Sequence, residues 1–117
     1  MTTRETVTHY LDLLRHKADW PSTLADDISF TSFTSPPRGL RGKDAFLQAT
    51  KQFYSMIVSM KVRDLIVDGS RACALTSYQL QPPGGPTFGS DVAEVFVVEN
   101  GRIRSFDIYF DSAPYPT

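Results

Sequence analysis

A single cysteine, Cys73, occurs in this chain, so no internal disulfide can form and a reducing compartment is the natural setting. Histidine is also scarce, with His9 and His16 alone. On one helix their separation would place them about 10 Å apart along the axis, too far for one ion to join. Neither C-x-x-C nor H-E-x-x-H occurs, so no metal and no other cofactor is expected. Phosphate loops are missing: Gly84 and Gly85 stand among prolines in "QPPGGPTFGS", which reads as a hairpin loop, not a cradle ahead of a helix. Basic runs are missing too. With 12 Lys and Arg against 13 Asp and Glu, nucleic acid is not expected as a partner. No apolar run approaches membrane-spanning length, and "MTTRETVTHY" has no signal core. The expectation is a soluble, cytoplasmic protein with no membrane partner.

Against these absences stands a composition rich in core material. The chain is 41% hydrophobic and 12% aromatic over 117 residues, enough for one core and a single domain spanning 1–117. Val7, Tyr10, Leu11 and Leu14 fall on one stripe of a helix over 3–17. Pro21 is expected to start a second short helix, with Trp20 ahead of it and Leu24 on its inner side. "ISFTSFT" at 28–34 reads as a strand, and "SPPRGLRG" breaks it. "KDAFLQATKQFYSMI" then places Phe46, Ala49, Phe53 and Ile57 at helical spacing. Strands follow at roughly 60–67, 72–81 and 90–98, and Asn100-Gly101 turns the last of them into a final strand, 102–111. Helices first and strands afterwards predict an α+β domain: helices packed in a strongly curved, mostly antiparallel sheet that forms a cystatin-like cone open at one end.

The strand over 90–98 carries the most information. Val92, Glu94, Phe96 and Val98 share one face, and Ala93, Val95 and Val97 share the other. Both faces are apolar, so both should be covered. One lies on the helices, and the other predicts a homodimer through the outer sheet face. Glu94 is an acid among apolar neighbours, where burial should raise its pKa. Its partner would be Arg38, Arg63 or a tyrosine.

Three stretches, "TLADDISF" at 23–30, "GKDAF" at 42–46 and "VENGRIRSFDIYFD" at 98–111, resemble the nuclear transport factor 2-like superfamily. Its members include ketosteroid isomerases, SnoaL-like polyketide cyclases and limonene-epoxide hydrolases. The resemblance implies the curved sheet, a deep apolar pocket and the dimer. Set against the hydrolase pattern, the water-activating aspartates and arginine fall at Ile108, Tyr78 and Thr76, and all three are missing. The cyclase acid also falls at Ile108. Asp107 is one residue away and should face outward with Tyr109 and Asp111, unless a bulge turns it in. Set against the isomerase pattern, Tyr10 and Glu94 match the two groups that hold the forming oxyanion, while the base position falls near Ser32.

Tyr10 and Glu94 are therefore the candidate catalytic residues. Each has a plainer reading: Tyr10 as a core aromatic with its hydroxyl satisfied, Glu94 as a paired inner-face acid. Phe30, Ser32, Phe53, Tyr78, Phe96, Phe106, Ile108 and Phe110 are the candidate ligand-binding residues, with Tyr78 either lining the pocket or donating a hydrogen bond. His9 should lie on the flank of its helix. The expected partner is a small apolar molecule bearing an oxygen. Proton-transfer chemistry of the isomerase type is the leading enzymatic reading, with a related lyase or hydrolase behind it. A non-catalytic dimeric binding or accessory module is the alternative. Whether the 81–90 loop closes over the pocket is left open by the sequence.

Overall fold

The computed structural model describes residues 1–34 and 39–115. Helix α1, Thr3–Arg15, opens on a capping box: the Thr2 hydroxyl accepts from the Glu5 N–H, and the Glu5 carboxylate accepts from the Thr2 N–H. Its predicted stripe of Val7, Tyr10, Leu11 and Leu14 is buried, while His9 and His16 are exposed. Pro21 stands in the first turn of a short helix as expected, but the helix is 3-10 and four residues long. Trp20–Thr23 form a single 3-10 turn closed by the Thr23 hydroxyl on the Trp20 carbonyl at 2.7 Å. Proline presets the first turn, but nothing after it propagates a helix. The chain instead enters strand β1, Leu24–Ser32, so Leu24 is an inward strand residue and not a helical one. The strand also stops short of the expected 34.

"SPPRGLRG" does more than break the chain. Within it, Leu40–Arg41 form a two-residue strand, β2, paired antiparallel with Phe30 and Ser29. Helix α2, Lys43–Met56, follows Gly42, whose φ of 100° favours glycine. Of its predicted stripe, Phe46 and Ile57 are buried and Phe53 is half-buried, but Ala49 is exposed and Thr50 takes the inner position. The helix runs without a loop into β3, Ile57–Asp68. Strands β4, Arg71–Leu80, β5, Phe88–Glu99, and β6, Arg102–Phe110, complete the chain. Asn100 and Gly101, with φ of 54° and 73°, make the predicted turn between the last two.

The strands form one sheet in the order β2-β1-β6-β5-β4-β3. Only β1 and β6 pair in parallel, and the sheet curls around the helices without closing, so the α+β cone expected from the sequence is the fold observed. Edge-to-face aromatics fill it: Phe106 lies 4.7–5.8 Å from Phe96, Phe46 and Tyr10, and Trp20 stacks on Tyr54 at 4.1 Å. Among the described residues, no helix is long and apolar enough to cross a membrane.

Candidate ligand cavity

Alternation along β5 sets the site. Val92, Glu94, Phe96 and Val98 are buried on the inner face, while Ala93, Val95 and Val97 are half-buried on the outer one. A cavity of about 370 Å³ opens between α2 and the inner faces of β1, β5 and β6. Phe30 and Ser32 line it from β1, Val92 and Glu94 from β5, and Phe106, Ile108 and Phe110 from β6. Helix α2 contributes Ala49, Thr50, Gln52, Phe53, Tyr54 and Met56. Pro82 of the β4–β5 loop and Ser112 and Tyr115 of the C-terminal segment complete the wall. Among these residues none is lysine, arginine or histidine, and Glu94 is the only carboxylate.

Glu94 is 3% exposed. Tyr78 donates to its Oε2 at 2.9 Å, so a tyrosine is its partner among the described residues; Arg63 reaches Ser77 instead, and Arg38 lies outside the described residues. Glu94 Oε1 and Thr76 Oγ1 are the two buried side-chain oxygens without a hydrogen bond among the described residues. Burial pushes the Glu94 carboxyl up to about 7; nearby Thr76 and the Tyr78 hydroxyl pull the other way and lose. A carboxyl held there is part neutral and part ionised at neutral pH, so it can donate, accept, or exchange a proton.

Three of the predicted site residues sit behind the cavity wall and not on it. Tyr10 is fully buried under α1, and its hydroxyl is 2.6 Å from that of Tyr54. Tyr54 thus stands where Tyr10 was expected to reach. Phe96 shares the face of Glu94, but α1 covers it: its ring meets Tyr10 at 5.7 Å, and it is core. Tyr78 is the hydrogen-bond donor and not a lining residue. Burial raises the pKa of both Tyr10 and Tyr78, so both keep their protons. On β6, Phe106, Ile108 and Phe110 face in. Asp107 sits opposite Thr31 and Val95 on the outer layer, and the β5–β6 irregularity falls at Val97/Val98, away from it. Burial raises the Asp107 carboxyl, against Arg71 and Thr31. Among the described residues, no cluster of His, Cys, Asp and Glu is placed to hold a metal ion.

The family model for the SnoaL-like domain matches residues 7–106. The chain belongs to the SnoaL-like domain family. Among curated proteins no significant match exists. Solved structures agree on the SnoaL-like fold. An NTF2-like protein from Burkholderia thailandensis E264 is 17% identical with a TM-score of 0.82, covering 97% of this chain and 94% of its own. A protein from Kribbella flavida DSM 17836 is 23% identical with a TM-score of 0.80, covering 95% and 88%. An NTF2-like protein of unknown function from Cytophaga hutchinsonii ATCC 33406 is 19% identical with a TM-score of 0.75, covering 97% and 94%.

Nine lining residues of this SnoaL-like domain were not among the predicted site residues: Ala49, Thr50, Gln52, Tyr54, Met56, Pro82, Val92, Ser112 and Tyr115, of which the two tyrosines bring hydroxyls to the wall. Tyr54 has a signal, since it stands four and eight residues after Thr50 and Phe46 on the inner stripe of α2. Tyr115 has none. It follows β6 in an irregular tail and is fixed by its hydroxyl, 2.7 Å from that of Ser90, and by Phe88 and Phe110 at 5.0 and 5.1 Å. The 81–90 loop reaches the mouth through Pro82, and Gln81 braces it by bonds to Pro82, Gly85 and Thr87.

Proposed function

We propose that the cavity binds a small apolar molecule bearing an oxygen, and that Glu94 meets that oxygen. The observation that carries this reading is a buried carboxyl with one oxygen lacking a hydrogen bond among the described residues, in a mostly apolar wall that holds no other charged side chain. Tyr78 donates to Oε2, so the proton of the neutral form belongs on Oε1; that atom is covered, and the wall beside it must give slightly for a ligand carbonyl to accept from it. Tyr54, backed by Tyr10, supplies a second polar group on the cavity wall. If the site turns over, the chemistry it suits is proton transfer of the isomerase type, with Glu94 as the group that titrates. Ser32 offers no base at neutral pH. Replacing Glu94 with glutamine is expected to weaken binding across a panel of enones and phenols roughly tenfold, because an amide is the poorer donor. Titration calorimetry reads this, and unchanged affinities across the panel remove Glu94 from the site.

A second copy is the partner we propose for the outer sheet face, and this supports the reading of a dimeric binding module. Leu75, Ala93 and Tyr109 form one row across β4, β5 and β6 on that face. Leu75 and Tyr109 are 39% and 47% exposed, and Ile66 beside them is 54% exposed. Leu75→Arg is expected to turn a dimer into a monomer in sedimentation, and a monomeric parent protein at micromolar concentration refutes the pairing.

A further inference from the structure

We propose that the same cavity also takes protonated apolar amines, with the Glu94 carboxylate as their counter-ion. The inference rests on the cavity being a ligand site and adds a second ligand class to it. Its ground is a charge imbalance. The titratable groups around Glu94 among the described residues are Tyr10 from α1, Tyr54 from α2, and Tyr78 and Cys73 from β4, with Tyr115 of the C-terminal segment lining the same cavity. All five have raised pKa values and are neutral, four hydroxyls and one thiol, and β6 places only Ile108 opposite. When Glu94 ionises, its charge is left in the interior with the Thr76 and Tyr78 hydroxyls beside it and, among the described residues, no cation against it. A buried carboxylate in that state carries a large desolvation penalty that an incoming cation relieves and a neutral ligand does not.

The walls suit such a cation. Phe30, Phe53, Phe106 and Phe110 present rings to the cavity, and ring faces attract an ammonium group while accepting its hydrocarbon remainder. At about 370 Å³ the space is at the small end for ligand pockets, which favours a compact arylalkyl amine over a steroid-sized one. Because the Glu94 carboxyl titrates near neutrality, the two ligand classes should respond to pH in opposite directions. A carbonyl needs the neutral acid and loses affinity as pH rises. An ammonium needs the carboxylate and gains affinity, until the amine itself deprotonates near about pH 10.

The test compares 4-phenylbutylamine with its neutral isostere 4-phenylbutan-1-ol by titration calorimetry at about pH 8, with 4-phenylbutan-2-one measured at about pH 6 as the oxygen-bearing probe. The amine is expected to bind at least roughly tenfold tighter than the alcohol, and Glu94→Gln should abolish that preference. Equal affinities for amine and alcohol in the parent protein overturn the inference without recourse to any variant. If the ketone binds and the amine shows no preference, only the amine inference falls. If none of the three binds, the ligand-site reading falls with it.

Discussion

Phe96→Ala should cost about 3–5 kcal/mol of folding stability, the range for emptying a fully buried aromatic site. Phe96 is 0% exposed and meets Tyr10 at 5.7 Å and Phe106 at 4.7 Å, both edge-on. The hole would open under α1, where ring contacts to Trp20 and Phe46 extend the same cluster, and a rigid sheet cannot collapse to fill it. Against a total stability of about 5–15 kcal/mol this is a large fraction, so thermal unfolding should move down by roughly 10–25 °C. Ligand selectivity should be unchanged in whatever protein remains folded, because the ring does not line the cavity. Thermal melts and the panel titrations read the two effects separately. A small change in melting temperature with altered ligand choice would return Phe96 to the site.

That split between core and cavity marks the limit of what the sequence states. Strand parity is legible: it places Glu94 and Phe96 on one face and Asp107 on the other, and both assignments agree with the register of β5 against β6. Parity says which side a residue takes and nothing about depth along the cone. Which of two same-face residues meets open space depends on what lies over it, and α1 lies over Phe96. Tyr10 fails in the same way. Its stripe and burial follow from spacing, but the direction of its hydroxyl is fixed by Tyr54, forty-four residues away. Element order was legible because each long element carries its own period. The two-residue β2 carries none and reads as a breaker, and the short 3-10 helix at Trp20–Thr23 carries too little to show that Leu24 already belongs to a strand. Tyr115 belongs to the cavity through contacts from an irregular tail, and no local pattern announces such contacts.

Glu94→Gln should make the protein more stable at neutral and alkaline pH, although it removes the polar group that we place at the heart of the site. The sign follows from the two pKa values. Folded, the carboxyl titrates at about 7; unfolded, it returns to its ordinary value of 4.5. The folded state therefore holds the proton more tightly, and stability falls as pH rises from below 4.5 to above about 7. About two and a half pKa units correspond to about 3 kcal/mol between the ends of that window. Glutamine has no charge to desolvate and keeps an acceptor for the Tyr78 hydroxyl. Denaturant titrations of parent and variant at several pH values test this, and taking their difference cancels Asp107, whose raised pKa tilts both curves alike. The variant's advantage should be near zero in acid, grow through pH 5–7 and level off above, reaching on the order of 3 kcal/mol. A difference that stays flat with pH would mean that the carboxyl is ionised at little cost, and the dry acid on which the proposed ligand recognition depends would be gone. A site that is less stable with its native acid than without it carries the signature expected of function, and on the proposed reading the penalty is relieved when a proton, a carbonyl or an ammonium arrives.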